Sequence, residues 1–164
     1  MTSLGDHFRL LYDYTCWANN RAVDLAGQVP LEEYRRSRPY GRGSLRDVLT
    51  HSYTAEWRWR QRFEHGGQWG DPPGSETLDT PAALARDWAE EQGRWRTFLA
   101  SADLDQPIDY SRSDGVAFSN RLGDLIAHVF NHSTQHRAEA AWLLTELGAS
   151  PGDLDLIVYL RAQQ

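Results

Sequence analysis

The chain has 164 residues, which is the length of one domain and is enough to bury a substantial core. Its formal charge of -6 at pH 7 lacks the basic surplus of a general nucleic-acid binder, so we expect no nucleic-acid partner. No apolar run approaches the roughly 18 residues of a membrane-spanning helix, and no hydrophobic signal segment opens the sequence. We therefore expect a single domain, residues 1–164, that lies in the cytoplasm and contacts no membrane. The lone Cys16 fits a reducing compartment.

The first helix is predicted over residues 3 to about 28, because apolar residues recur there with the helical period. Pro30 ends it, since the residue before a proline is pushed out of helical geometry. A connection over residues 30–43 follows. Ser44, with an aspartate three residues later, has the pattern of a helix N-cap and begins a second helix over about 45–64.

The second helix carries three arginines, Arg58, Arg60 and Arg62, which alternate with aromatic residues. We interpret them as the solvated face of the helix rather than as a nucleic-acid patch. Residues 66–79 are rich in glycine and proline and predict a loop. Within this loop, Trp69 either covers a neighbouring site or anchors the loop itself.

A third helix is predicted to begin at Thr80 and Pro81, because a capping side chain precedes a proline at the first helical position. It extends to about Ala102. Residues 107–118 then alternate apolar and polar side chains around an Asp-Gly pair, which is typical of a short hairpin.

The fourth helix is predicted to be capped by Ser119 and closed by Gly148. Asp153 is predicted to cap a last short helix over residues 154–160. Together these elements predict an all-α four-helix bundle, with a hairpin-like excursion between helices 3 and 4 and a short C-terminal helix.

Three of the six histidines, His128, His132 and His136, lie four residues apart on the fourth helix. His132 and His136 fall within its apolar arc, whereas His128 lies at the polar edge. Side chains four residues apart stack on one face of a helix, so the first two rings can converge on one point. A buried imidazole needs partners for its polar nitrogens, and a divalent metal ion at that point would provide one.

His51 of the second helix is the candidate third ligand, because it flanks the inward face of that helix. One histidine on an apolar face is more often a satisfied core residue than a ligand. A trio changes the interpretation, since metal sites that keep an open coordination position commonly use three protein ligands. His65, at the end of the second helix, is interpreted as a partner of the helix C-terminus or as exposed. The sequence suggests no partner for His7.

Several stretches of the chain resemble the DinB-like family of four-helix-bundle proteins, which includes damage-inducible and bacillithiol- and mycothiol-dependent S-transferase-like members. The matching stretches are residues 11–21, 44–51, 55–57 and 125–137, with Leu147, Gly148, Pro151 and Asp155 near the end. The resemblance implies an up-down-down-up bundle that forms a homodimer. It also implies a metal held by His51, His132 and His136, with a low-molecular-weight thiol as cosubstrate in some members.

The chain departs from the family pattern at two places on the fourth helix. Gln135 stands where many relatives have a further histidine, and residues 137–139 read Arg-Ala-Glu in place of the frequent Arg-Gly-Gln. Neither departure replaces a proposed ligand, but both affect the chemistry around the helix. Arg137 and Glu139 either meet a charged substrate or decorate the helix edge.

We expect one divalent transition metal, zinc or nickel first and iron or manganese as alternatives, because imidazole suits several such ions. The favoured function is transfer of a small thiol, held on the metal as its nucleophilic thiolate, to small electrophilic compounds. His128 would orient a ligand or move a proton; alternatively, it is an exposed edge residue. Two other functions remain open: a hydrolase that uses metal-bound water, and a non-enzymatic metal-binding dimer in a stress or damage response.

Overall fold

The computed structural model describes residues 3–68, 70–112 and 114–164. In chain order its elements are α1 (Leu4–Ala26), α2 (Leu31–Arg35), α3 (Leu45–His65), a 3-10 turn (Ser75–Thr77), α4 (Pro81–Ser101), β1 (Pro107–Ser111), β2 (Ala117–Arg121), α5 (Leu122–Glu146) and α6 (Leu156–Ala162). The long helices α1, α3, α4 and α5 confirm the predicted all-α bundle, and the antiparallel pair β1–β2 confirms the hairpin. Trp69, predicted to cover a site or anchor its loop, lies outside the described residues.

Contacts between residues of neighbouring helices give the directions of the four long helices. The pairs are Arg9–Leu99 and Asn20–Gln92 between α1 and α4, Phe8–Phe130 and Tyr14–Arg137 between α1 and α5, His51–His136 and Trp59–His128 between α3 and α5, and Tyr53–Trp88 and Phe63–Phe98 between α3 and α4. Residue numbers rise together in the α1–α5 and α3–α4 pairs and in opposite senses in the other two. The order is therefore up-down-down-up, as the family resemblance implied.

The capping side chains predicted for the second and third helices are confirmed, and the one predicted for the fourth helix is wrong. The hydroxyls of Ser44 and Thr80 cap α3 and α4 by accepting backbone N–H groups three residues later. Ser119, however, lies within β2, and α5 begins only at Leu122. The N–H groups of Leu122 and Gly123 donate to carbonyl groups of the segment before β1. These backbone hydrogen bonds replace the side-chain cap that was expected at the start of the helix.

Gly148 closes the fourth predicted helix as expected, whereas the last helix begins later than predicted. Gly148, with a φ of +78°, follows the last turn of α5 and its N–H donates to the carbonyl of Thr145, as a closing glycine does. The last helix begins at Leu156 rather than at residue 154. Asp153 does not cap this helix, because its carboxylate accepts the N–H of Asp155 before the helix begins.

The connection between α1 and α3 contains the short helix α2, which was not predicted. Its buried Tyr34 joins an apolar cluster with Trp88 of α4 and Leu144 of α5. A five-residue helix is too short to show a hydrophobic period, so only this tertiary contact explains it. A second apolar cluster surrounds Trp95 and includes the buried Cys16.

The three arginines of α3 are not a uniformly solvated face, and the prediction is wrong for Arg60. This side chain is buried and makes a two-pronged ion pair with the buried Glu91 of α4, at 2.6 and 2.8 Å. Arg58 is half-buried and pairs with Asp71. Arg62 lies over the ring of Trp59 at 4.8 Å from its centroid. The cluster thus stabilises contacts within the fold.

No helix in the three described segments of the chain combines the length and the apolar character that crossing a membrane requires.

Candidate metal-binding site

Antiparallel packing of α3 and α5 brings three histidines together. The Nε2 atoms of His51 and His132 are 3.2 Å apart, and one ligand atom from each of these rings and from His136 lies within 4.8 Å of the others. The ring centroids are separated by 4.5, 4.6 and 5.0 Å. The three residues that the sequence singles out as ligands are therefore neighbours, and their arrangement is compatible with metal binding.

The spacing of these nitrogens suits a shared cation. Two nitrogens that each lie 2.0–2.1 Å from a tetrahedral zinc ion are roughly 3.3 Å apart, and the observed Nε2–Nε2 distance is 3.2 Å. A hydrogen bond between two neutral rings would produce the same distance, but it would provide no partner for Nε2 of His136, which has no hydrogen bond to the described residues. The donor set of three imidazoles fits a divalent transition metal.

The two half-buried rings are neutral at physiological pH. Burial is the largest cause that lowers the pKa of His51 to about 4, and the positive charge of Arg42 is the next. Burial also lowers the pKa of His132 to about 4, followed by the effects of His136, His128 and Arg42. A neutral imidazole keeps a lone pair available, as a metal ligand must.

Glu139 connects one of these histidines to the loop before α3. Its Oε2 atom lies 3.2 Å from Nδ1 of His136, and its Oε1 atom accepts the backbone N–H of Arg42 at 2.7 Å. Because a carboxylate oxygen accepts hydrogen bonds, Nδ1 of His136 is the donor to Glu139, and Nε2 is the ring nitrogen left to bind a metal. The loop approaches closely at Gly41, where the φ is +60° and a Cβ atom would collide with Glu139.

Sequence reasoning underestimated Glu139 and misplaced Arg137. The i, i+3 spacing of His136 and Glu139 could have indicated their contact, because such residues are neighbours on a helix. Arg137 is buried and donates to Asn19 and to the hydroxyl of Tyr14 at 3.2 and 3.0 Å. It therefore joins α5 to α1 and does not lie exposed at the edge of the helix.

A buried polar network that sequence reasoning missed lies beside the histidines and is centred on Glu56. Its carboxylate accepts hydrogen bonds from Trp88 at 2.9 Å, from Asn19 at 3.1 Å and from Ser133 at 3.4 Å. The network joins all four long helices. Burial raises the pKa of Glu56 to about 7, since these hydrogen bonds offset only part of the cost of charge in the core.

The other histidines lie outside the trio. His128 is exposed, with its ring centroid 5.3 Å from that of Trp59 and 6.0 Å from that of His132. Its role in orienting a ligand or moving a proton stays a prediction. His65 is the exposed last residue of α3, as expected, and His7 is exposed near the start of α1.

A cavity of about 840 Å³ opens beside the trio. His51 forms part of its wall, together with Arg42, Arg58 and the loop that contains the 3-10 turn. Another cavity, of about 770 Å³, lies between Gln68 and the β-hairpin and has no histidine in its lining. Of these two cavities, the first is lined by one of the three histidines, His51, and is open to a small molecule.

Two comparisons with known proteins agree with this architecture. The family model of the DinB family matches residues 1–164. The chain is also similar to Protein DinB of Bacillus subtilis (strain 168), with 24% identity over 174 residues that cover 96% of this chain and 95% of that protein. Both similarities span the helices that carry the three histidines.

Proposed function

Since the chain belongs to the DinB family, we propose that it binds one divalent transition metal through His51, His132 and His136 and transfers a low-molecular-weight thiol to small electrophilic compounds. The convergence of three imidazoles beside an open cavity is the observation that carries this proposal. Zinc or nickel is the proposed metal, with iron or manganese as alternatives.

When bound, the metal would supply a Lewis acid that favours the thiolate form of the cosubstrate, which is the nucleophile. The protein's own groups prepare this site. Glu139 orients His136, and burial keeps His51 and His132 unprotonated. The chain's single thiol, Cys16, is buried with its pKa raised to about 12, chiefly by burial, so the proposed nucleophile comes from a cosubstrate.

The remaining parts of the proposal rest on family membership and on the sequence. We propose one domain over residues 1–164 that forms a homodimer in the cytoplasm and acts in a stress or damage response. The two rival functions, a metal–water hydrolase and a non-enzymatic metal-binding dimer, use the same three histidines.

The reaction can be tested with the purified protein, loaded with zinc or nickel, and a panel of aryl halides and epoxides. We expect the electrophile to be consumed only when both metal and thiol are present, with chelation abolishing the turnover. Turnover without thiol would favour the hydrolase. Stoichiometric metal uptake without turnover of any electrophile would favour the non-enzymatic role.

Removing the carboxylate of Glu139 should lower the affinity for the metal about 10- to 100-fold, as loss of an outer hydrogen-bonding partner typically does. Metal titrations of Glu139→Ala and Glu139→Gln would measure this, and the glutamine variant should lose less because it keeps an acceptor oxygen. Glu146→Gln is the matched control, since Glu146 lies on the same helix and accepts a hydrogen bond from Tyr40 of the same loop. Unchanged affinity in both Glu139 variants would contradict the orienting role.

A further inference from the structure

The cavity beside the histidines contains a cationic side chain that the fold does not use. Arg42 is exposed in the cavity wall, and within residues 3–68, 70–112 and 114–164 its guanidinium has neither a hydrogen bond nor an ion pair. Arg42 and His51 line this cavity together. The guanidinium therefore shares the cavity with one of the three proposed ligands.

The backbone of Arg42 is held in place independently of its side chain. Its N–H donates to Glu139, the residue that also contacts His136. The same loop is attached to α5 by Tyr40, whose ring packs edge-on against Trp142 and whose hydroxyl donates to Glu146 at 3.0 Å. The side chain of residue 42 thus extends from a loop that is held against α5, the helix that carries His132 and His136.

None of the carboxylates in the described cavity wall forms an ion pair with Arg42. Asp71 is paired with Arg58, and Asp47 with Arg46 at 3.1 Å. Glu76, the remaining carboxylate of the wall, is exposed and makes no ion pair with Arg42. The guanidinium of Arg42 is therefore free to form an ion pair with an anionic group that enters the cavity.

We propose that Arg42 binds the anionic group of the thiol cosubstrate, so that the substrate class is a thiol that carries a carboxylate or a similar oxyanion. This inference rests on the proposed function, because the thiol sulfur must lie at the histidine trio. Guanidinium groups pair with carboxylates through parallel charge-assisted hydrogen bonds, which fix orientation as well as adding affinity. One end of the cosubstrate would be held by Arg42 while the thiolate lies beside His51.

The test compares two small thiols, 3-mercaptopropionate and 2-mercaptoethanol, binding to the zinc-loaded protein by calorimetry. The thiols differ in acidity, so the informative quantity is the ratio of their Kd values in each variant. We expect Arg42→Ala to shift this ratio roughly tenfold against the carboxylate thiol, the size of one charge-assisted hydrogen bond. Arg42→Lys should retain part of the preference. Metal content should stay unchanged, because any residue at position 42 keeps the N–H that Glu139 accepts.

Arg86→Ala is the matched control, since it removes one positive charge from an exposed side chain of α4 that does not line the cavity. Its Kd ratio should equal that of the unmodified protein. An unchanged ratio in metal-loaded Arg42→Ala, or an equal shift in Arg86→Ala, would overturn the anion subsite alone. Absence of metal from the unmodified protein after reconstitution would overturn the proposed function, and the cosubstrate class with it.

Discussion

Replacing His132 with alanine should abolish stoichiometric metal binding while the helical bundle stays folded. The residue is half-buried and lies within 4.8 Å of the two other ring nitrogens, so its loss removes one of three proposed ligands. The affinity should fall by more than the 10- to 100-fold that loss of an outer hydrogen-bonding partner costs. His51→Ala and His136→Ala should behave in the same way, as measured by elemental analysis after reconstitution.

His7→Ala is the control for this experiment, because His7 is an exposed histidine near the start of α1 and lies outside the trio. Circular dichroism would show whether each variant keeps its helices. Full retention of metal by a folded His132→Ala protein would exclude this residue as a ligand.

The second large effect is a pH-dependent loss of stability caused by Glu56. Burial raises its pKa from 4.5 to about 7 in the folded protein. Between these values the unfolded chain releases the proton and the folded protein keeps it, so the free energy of unfolding falls as the pH rises. From pH 5 to pH 8, ionisation of Glu56 should lower the free energy of unfolding by about 2–3 kcal/mol.

Urea unfolding of the metal-free protein at pH 5 and pH 8 would measure this loss, with Glu56→Gln as the comparison because glutamine does not ionise. His51 and His132 have lowered pKa values and shift the stability in the opposite direction, since they favour the folded protein as the pH rises from about 4 towards 6.5. The unmodified protein and the Glu56→Gln variant both contain these histidines, so the difference between their pH profiles reports Glu56 alone. Parallel pH profiles would show that its carboxyl group does not titrate in this range.

Those features of the molecule that depend on local periodicity could be predicted from the sequence. The inward faces of α3 and α5 follow from the 3.6-residue period, and His132 and His136 lie one turn apart on one face for the same reason. His51 could be added because it flanks the other inward face. The N-caps at Ser44 and Thr80 are local as well, since each hydroxyl reaches an N–H only three residues away.

Features that depend on partners distant in the sequence could not be predicted. Arg60 looked solvated because its partner Glu91 lies 31 residues away on another helix. The contact between Glu139 and the backbone of Arg42 spans 97 residues and involves a peptide group, which has no sequence pattern. Ser119 resembled a cap, but the backbone before β1 satisfies the start of α5 instead. In each case the structure is determined by a contact between distant parts of the chain, which the local sequence does not show.

The 81-residue separation between His51 and His132 has a consequence for the order of folding. Closing so long a loop costs chain entropy that local helix formation does not repay, so the two rings meet only after the C-terminal part of the chain has docked. A nascent chain that ends before α5 contains only His51 of the three proposed ligands and cannot form the site. Capture of a cation would thus follow completion of the native topology, and a ligand that binds only the native state stabilises it through mass action.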